Sequence, residues 1–373
     1  MNQIKREAIQ MTEQVFKSYT SDQMSNDFYH SAEEWTKDYI SGSSLSEIHS
    51  SCFAAWKHKE RSDSKALVFG TQSHTNFESK ALFEKTYRRA PDFDQISEEL
   101  RKQREKNPDD ITLELITTQS GLASKLKALG LTGTSNKQYP ELLKMAAGLS
   151  VDLHVSWVMD LIAVTEAYND GVELVPAKDY DACVKMREVL SYVPEHDACM
   201  NSETAYRELS IFGEIEGVKA KVRLDHVDVI TDRKLIEGWG YDPDLHPEVV
   251  VITDYKTTQS ANPNDFPRLA YNLGYYLKMA LQRDLFKKCF DEKRPIVVRL
   301  LAQEKKEPYL PMAYRLADAQ IKIGREQYMG VIRQYKVFSE INQWPSYLNG
   351  EPEVEMETPA FVKNIYKEYF PKD

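Results

Sequence analysis

The residues best able to do chemistry lie in Val249–Thr258, VVVITDYKTT, and in Arg223-Leu224-Asp225 upstream. A β-branched run ends in Asp254-Tyr255-Lys256 and is followed by two threonines. Side chains alternate across a strand, so Val250, Ile252, Asp254 and Lys256 are expected on one face. Val249, Val251, Thr253 and Tyr255 take the other. A carboxylate and an ammonium together at the end of a buried strand suit metal-dependent phosphodiester hydrolysis. The carboxylate holds a divalent ion, and the lysine neutralises charge or polarises the attacking water. An Asp-x-Lys triplet is common by chance. Its placement at a strand end, with a second acid upstream, gives it weight.

That acid is Asp225. Residues 217–230, GVKAKVRLDHVDVI, alternate cleanly. Val218, Ala220, Val222 and Leu224 form an apolar face, while Lys219, Lys221, Arg223 and Asp225 form the other. Alone, this reads as an amphipathic edge strand with solvated charges. Beside Asp254 and Lys256 it reads as half of a metal site, with Lys219, Lys221 and Arg223 as a phosphate-binding face.

At 373 residues the chain has room for one large domain or two small ones. No apolar run is long enough to span a bilayer. The first twenty residues lack the hydrophobic segment of a secretory signal, so a cytoplasmic protein is expected. Cys52, Cys183, Cys199 and Cys289 are far apart and form no CxxC pair. Neither a zinc site nor an iron–sulfur cluster has its usual spacing. A net charge of −10 argues against a surface coated in DNA-binding groups, though not against a local basic channel. Cations also cluster at Lys85/Arg88/Arg89 and at Lys287/Lys288/Lys293/Arg294. Each of these reads by default as a solvated face.

The elements that must position these residues follow from pattern and punctuation. Residues 1–41 read as a polar helical extension, 42–350 as the main domain and 351–373 as a tail. A helical insertion is expected over about 95–175, with two short helices in SGLASKLKALGL and PELLKMAAGL. Such a pair is packing by default, although it could touch DNA or protein. Ser44 and Glu47 have capping-box spacing, and a further helix starts near Ser64 and contains His74. A helix spans 177–193. A hairpin joins 203–215 to 217–230, and a hydrophilic loop covers 232–247. Residues 266–283 have the apolar spacing of one amphipathic helix. A buried strand is expected over 295–302 and a long helix over 314–341.

The order helix with His74, strand, strand with Asp225, strand with Asp254 and Lys256, helix with Tyr271, strand resembles the PD-(D/E)XK nuclease core. It is most similar to the RecE-type exonuclease family, the nuclease part of exonuclease VIII. FGTQSH, YRELSIF before GVKAKVRLD, TDYKTT, AYNLGYYLKMA, LLAQEKKEPY, GREQY and WPSY carry the resemblance over roughly residues 43–348. The match departs in one place that matters. Gly274 stands where the family has glutamine, three residues after the helix tyrosine, and Gln282 lies two turns further on.

The resemblance implies a mixed α/β fold, with a central mixed β-sheet flanked by helices. It implies Mg²⁺ or Mn²⁺, as one or two ions, held by Asp225, Asp254, the Tyr255 carbonyl, His74 and Glu208. Lys256, Asp254, Asp225 and His74 would be the catalytic groups. Tyr271 and Lys278 would join Lys219, Lys221 and Arg223 on DNA. The implied activity is digestion of the 5′-ended strand of linear duplex, leaving a 3′ overhang for a RecT-like single-strand annealing partner in phage-type recombination. The implied assembly is a closed trimeric or tetrameric ring in a bacterial or phage-infected cytoplasm. Two alternatives stay open: a nuclease of single strands or of other polarity, and a degenerate fold that only binds DNA or protein.

Overall fold

The computed structural model describes residues 16–60 and 64–370. Residues 1–15, the first part of the expected extension, lie outside them. Nine strands are numbered here in chain order: β1 Lys17–Tyr19, β2 Ile40–Ser41, β3 Tyr87–Arg89, β4 Glu173–Val175, β5 Tyr206–Ile215, β6 Val218–Ile230, β7 Val249–Thr258, β8 Ile296–Glu304 and β9 Pro311–Arg315. The spine is the β5–β6 hairpin. Glu216 and Gly217, at φ 49° and 83°, close it with the left-handed pair that a two-residue turn requires.

The main sheet runs β1-β5-β6-β7-β8-β9. β6–β7 and β8–β9 are antiparallel, whereas β7–β8 is parallel, so the sheet is mixed as expected. The parallel step needs a crossover, and helices Phe266–Asn272 and Tyr275–Cys289 supply it. Leu277, Ala280, Leu281 and Leu285 of the second helix pack into the large core with Val222, Leu224, Val250 and Ile252. Helix Lys65–Glu78 and helix Ala177–Ser191 contribute to a second cluster, where Phe77 and Met186 meet Tyr255 and Leu301.

Two irregularities position the site. β6 changes partner along one edge: β2 pairs with Ala220 and Lys221, while β7 pairs only with His226–Ile230. Asp225 and Asp254 each lie one residue past the last β6–β7 pair, Thr253 with His226. The strands part there. The second irregularity is a break in alternation. Leu224 and Val227, three apart, both enter the large core, as do Tyr206 and Leu209 on β5. Between the latter pair sits Glu208 at φ 52°, a left-handed conformation costly for a residue with a Cβ. The clean alternation read over 217–230 therefore fails at the acid it was used to place.

Other expectations are corrected too. Residues 16–41 are not a helical extension: they give β1 and β2 to the sheet, with short helices between. The helix expected over 266–283 is broken at Gly274, which caps the second helix at φ 69°. Ser46 approaches so closely that a Cβ at Gly274 would sit 3.0 Å from its Cβ. The stretch 314–341 begins as the end of β9, and its helix starts at Asp318. The loop over 232–247 contains helix Arg233–Gly238. Helix Gly42–Ser50 is capped by Ser41 rather than Ser44, whereas Ser64 caps the His74 helix as read. Helices Gln119–Ala128 and Tyr139–Ala147 lie within the region read as an insertion. Leu122, Leu126 and Leu142 give them a small core of their own with Ile116 and Val155.

Candidate active site

Where β6 and β7 part, the N–H of Tyr255 loses its ladder partner. Asp225 supplies one: its Oδ2 accepts from Tyr255 N at 2.9 Å. The same oxygen lies 2.9 Å from His74 Nε2. His74 is presented by helix Lys65–Glu78, and its ring packs against Tyr255 at 5.6 Å. Tyr255 is itself fixed by stacking on Phe77 at 4.5 Å and by donating to Gln303 at 2.7 Å.

Glu208 faces Asp225 across the β5–β6 pair, at the left-handed position, with Oε1 3.6 Å from His74 Nδ1. One ligand atom each from His74, Glu208 and Asp225 lies within 4.8 Å of the others. Two carboxylates and an imidazole form a donor set for a hard or borderline divalent ion. Burial opposes charge on Asp225, but His74 and Lys256 outweigh it and hold the carboxyl well below its usual range. Burial likewise opposes the His74 cation, and Asp225 and Glu208 carry it above its ordinary value.

Asp254 is fully buried. Its Oδ1 accepts from Lys278 Nζ at 2.8 Å and from Gln282 Nε2 at 3.3 Å. Its Oδ2 is ion-paired with Lys256 Nζ. Lys256 Nζ also reaches the Tyr255 carbonyl at 3.2 Å, lies 3.9 Å from Asp225 and sits 5.7 Å over the Tyr275 ring. Oδ2 is thus a buried anionic oxygen held by the Lys256 ammonium, which links it to Asp225 of the three-ligand cluster, and a divalent cation fits beside it.

Asp225, Asp254, Lys256, His74 and Glu208 therefore meet, and the Tyr255 carbonyl faces the lysine. The cations read as a DNA surface do not follow. Lys221 is buried, donating to the carbonyls of Tyr29 and Thr36 at 2.7 and 2.9 Å. Arg223 binds Glu208 at 2.5 Å, as well as Ser210 and the Met24 carbonyl. Residues 16–41 cover this face, which the sequence pattern could not reveal. Lys219 is exposed but lies over Tyr39, at the hairpin end of β6. Lys278 is in the site on Asp254. Tyr271 stays on the surface against Tyr276, 5.7 Å away. In the outlying clusters Arg88 pairs with Asp170, Arg89 with Asp181, Lys293 with Asp291, and Arg294 with Glu292 and Glu248.

Two groups escaped the sequence reading, and a third, Gln282, was noted there only against the family's glutamine position. Glu78 stands one turn after His74; burial first and then Glu208 push its carboxyl up to about 7. Its signal was the four-residue spacing from His74, which places both on one helix face. Tyr275, pushed up to about 12 by burial and by Asp254, follows the helix break. Gln282, with Lys278, is one turn of a single helix aimed at Asp254. The i,i+4 spacing was visible; the target was not.

A parted strand pair carrying two acids and a lysine, on a mixed sheet with helices on both faces, defines a PD-(D/E)XK-type fold and site. The chain belongs to the family described as a PDDEXK-like domain of unknown function (DUF3799), whose model matches residues 163–358. Among solved structures it is 13% identical to a candidate exonuclease from Eubacterium rectale, at a TM-score of 0.45, covering 92% of this chain and 98% of that one. It is 15% identical to SSO0001 at a TM-score of 0.22, over 65% of this chain and 93% of that one. No curated protein matches the chain.

Proposed function

We propose that the protein is a divalent-metal-dependent nuclease that digests linear double-stranded DNA from its ends. The observation that carries this reading is the cluster of Asp225, Glu208 and His74, linked to the buried Asp254 by Lys256, which ion-pairs with both aspartates. Asp225 and Asp254, with the Tyr255 carbonyl, His74 and Glu208, would hold Mg²⁺ or Mn²⁺. When bound, such an ion polarises the phosphate and makes water acidic enough to attack. Lys256 balances the charge that builds on the phosphate. Tyr255, stacked on Phe77, keeps Asp225 and the carbonyl in place. Tyr271 is the exposed aromatic offered to the substrate.

The finer reading rests on the RecE-type resemblance. It comprises 5′-to-3′ polarity, a 3′ overhang passed to a RecT-like annealing protein, a phage or prophage recombination role in the cytoplasm, and a ring of three or four copies around the duplex. In the same reading residues 42–350 are the nuclease domain, interrupted by the insertion at about 95–175. No helix among the described residues is long and apolar enough to cross a membrane.

The test is digestion of linear duplex labelled at the 5′ or the 3′ end. Mg²⁺ or Mn²⁺ should support loss of the 5′ label as mononucleotide, and Ca²⁺ should bind without turnover. EDTA should stop the reaction. Activity that survives EDTA or requires zinc contradicts the proposal, and release of the 3′ label reverses the polarity.

A further inference from the structure

Asp254 has two oxygens in two different situations. Oδ1 is held by two donors from one turn of helix Tyr275–Cys289, Lys278 and Gln282, while Oδ2 faces the site and its contact there is the ion pair with Lys256. A carboxylate gripped at one oxygen cannot rotate freely about its terminal torsion. The grip is itself anchored. The helix begins at Gly274 in a left-handed conformation, and Ser46 donates to the Gly274 carbonyl at 3.2 Å, which sets the helix's rotation. The Lys278 stem passes Gly42, where a Cβ would lie 3.8 Å from its Cγ.

We infer that Lys278 is a positioning residue that acts through Asp254, fixing Oδ1 so that Oδ2 is the atom presented to the metal. It is not a DNA contact. The inference rests on the metal-dependent reading above and names the group that sets the geometry of its most buried ligand. A neutral donor at the same place does the same work, because the hydrogen bond, not the charge, orients the carboxylate. The charge by itself opposes a second cation nearby. The Lys278–Oδ1 bond therefore does more for metal binding than the ammonium's repulsion takes away.

The experiment measures Mn²⁺ affinity by electron paramagnetic resonance on the full chain without DNA, and kcat and KM on linear duplex. Melting curves check folding. Lys278→Met should weaken Mn²⁺ roughly tenfold to a hundredfold, the usual loss when the partner of a ligating group is removed. It should lower kcat while leaving KM for DNA unchanged. Lys278→Gln, which keeps a donor, should restore Mn²⁺ affinity to within a few-fold of wild type. If the methionine variant does not fold, Lys278→Ala leaves room for water and is read against the same outcomes. Truncation that leaves Mn²⁺ binding unchanged, or tightens it, overturns the inference. So does a glutamine variant as impaired as the methionine one, with a raised KM and a salt dependence shallower by about 0.9, which marks a lost phosphate contact. Wild-type protein that neither binds Mn²⁺ nor cuts duplex overturns the proposed function and this inference together. Wild-type protein that does both, beside an unimpaired Lys278→Met, overturns this inference alone.

Discussion

Asp254 carries a lysine on each oxygen, Lys256 on one and Lys278 on the other. Removing it takes the carboxylate from Lys278 and leaves Lys256 only the Tyr255 carbonyl and the more distant Asp225, which is costly to the fold as well as to chemistry. Asp254→Asn keeps the shape and removes the ligand charge, and is the better test. It and Lys256→Ala should each lower digestion on the order of a hundredfold or more, as loss of a transition-state stabiliser does. Circular dichroism should stay unchanged. Near-wild-type rates in both would move the active site elsewhere. His196 carries a separate prediction. It is buried, its Nδ1 has no partner, and burial, with Arg299 second, lowers its pKa below the ordinary histidine value. The folded state then binds fewer protons here than the unfolded chain once pH falls through about 6.5. Stability contributed by this site is full above that pH and declines below it. The melting temperature of His196→Gln should fall less between pH 7 and 5 than that of wild type; an equal or larger fall would show that His196 does not contribute.

At the scale of elements, the site depends on places where regular structure stops. β6 exchanges β2 for β7, β5 and β6 change phase together at Glu208 and Asp225, and the crossover helix breaks at Gly274. Each break frees backbone groups or turns side chains, and the site uses both: Asp225 takes the freed Tyr255 N–H, and the restart at Gly274 aims Lys278 and Gln282 at Asp254. Gly274→Ala puts a Cβ in a left-handed conformation against Ser46. It should cost about 1–2 kcal/mol of stability in urea unfolding. It should also lower Mn²⁺ affinity, because the helix start shifts. Unchanged stability would mean that the helix tolerates the restart in another conformation. The same crowding and the left-handed backbone disfavour any side chain at position 274.

At the scale of the molecule, the net charge of −10 has to be reconciled with a polyanionic substrate. Lys221 and Arg223, the cations nearest Asp225 on β6, are engaged inside the fold. Few free cations near the site are left to neutralise phosphates, and affinity for open duplex at physiological salt should be low. A closed ring around the duplex would keep the enzyme on its substrate without strong contacts, and closed symmetry is the usual form of homo-oligomers. Light scattering should give the mass of three or four chains, and covalently closed circles should survive while linear duplex is degraded. A monomer that cuts circles as fast as linear DNA would exclude encirclement.

The sequence by itself determined the strands and their acids. A β-branched run ending in Asp254-Tyr255-Lys256, and a long strand over 217–230 that carries Asp225, are local patterns, and local backbone preference is enough to read them. The hairpin turn at Glu216-Gly217 and the Ser64 cap were legible for the same reason. Tertiary structure decided what each cation serves. Lys219, Lys221 and Arg223 share a face with Asp225 in the alternation, but which faces are covered depends on residues 16–41, nearly two hundred positions away. Lys278 and Gln282 lay within reach of each other on one helix, yet only the crossover brings that helix over Asp254. The break in phase at Glu208 and Asp225 was invisible, because a period of two persists only while the ladder does. Here the sheet gives up its regular pairing in exchange for a fork where acids, histidine and lysine can meet.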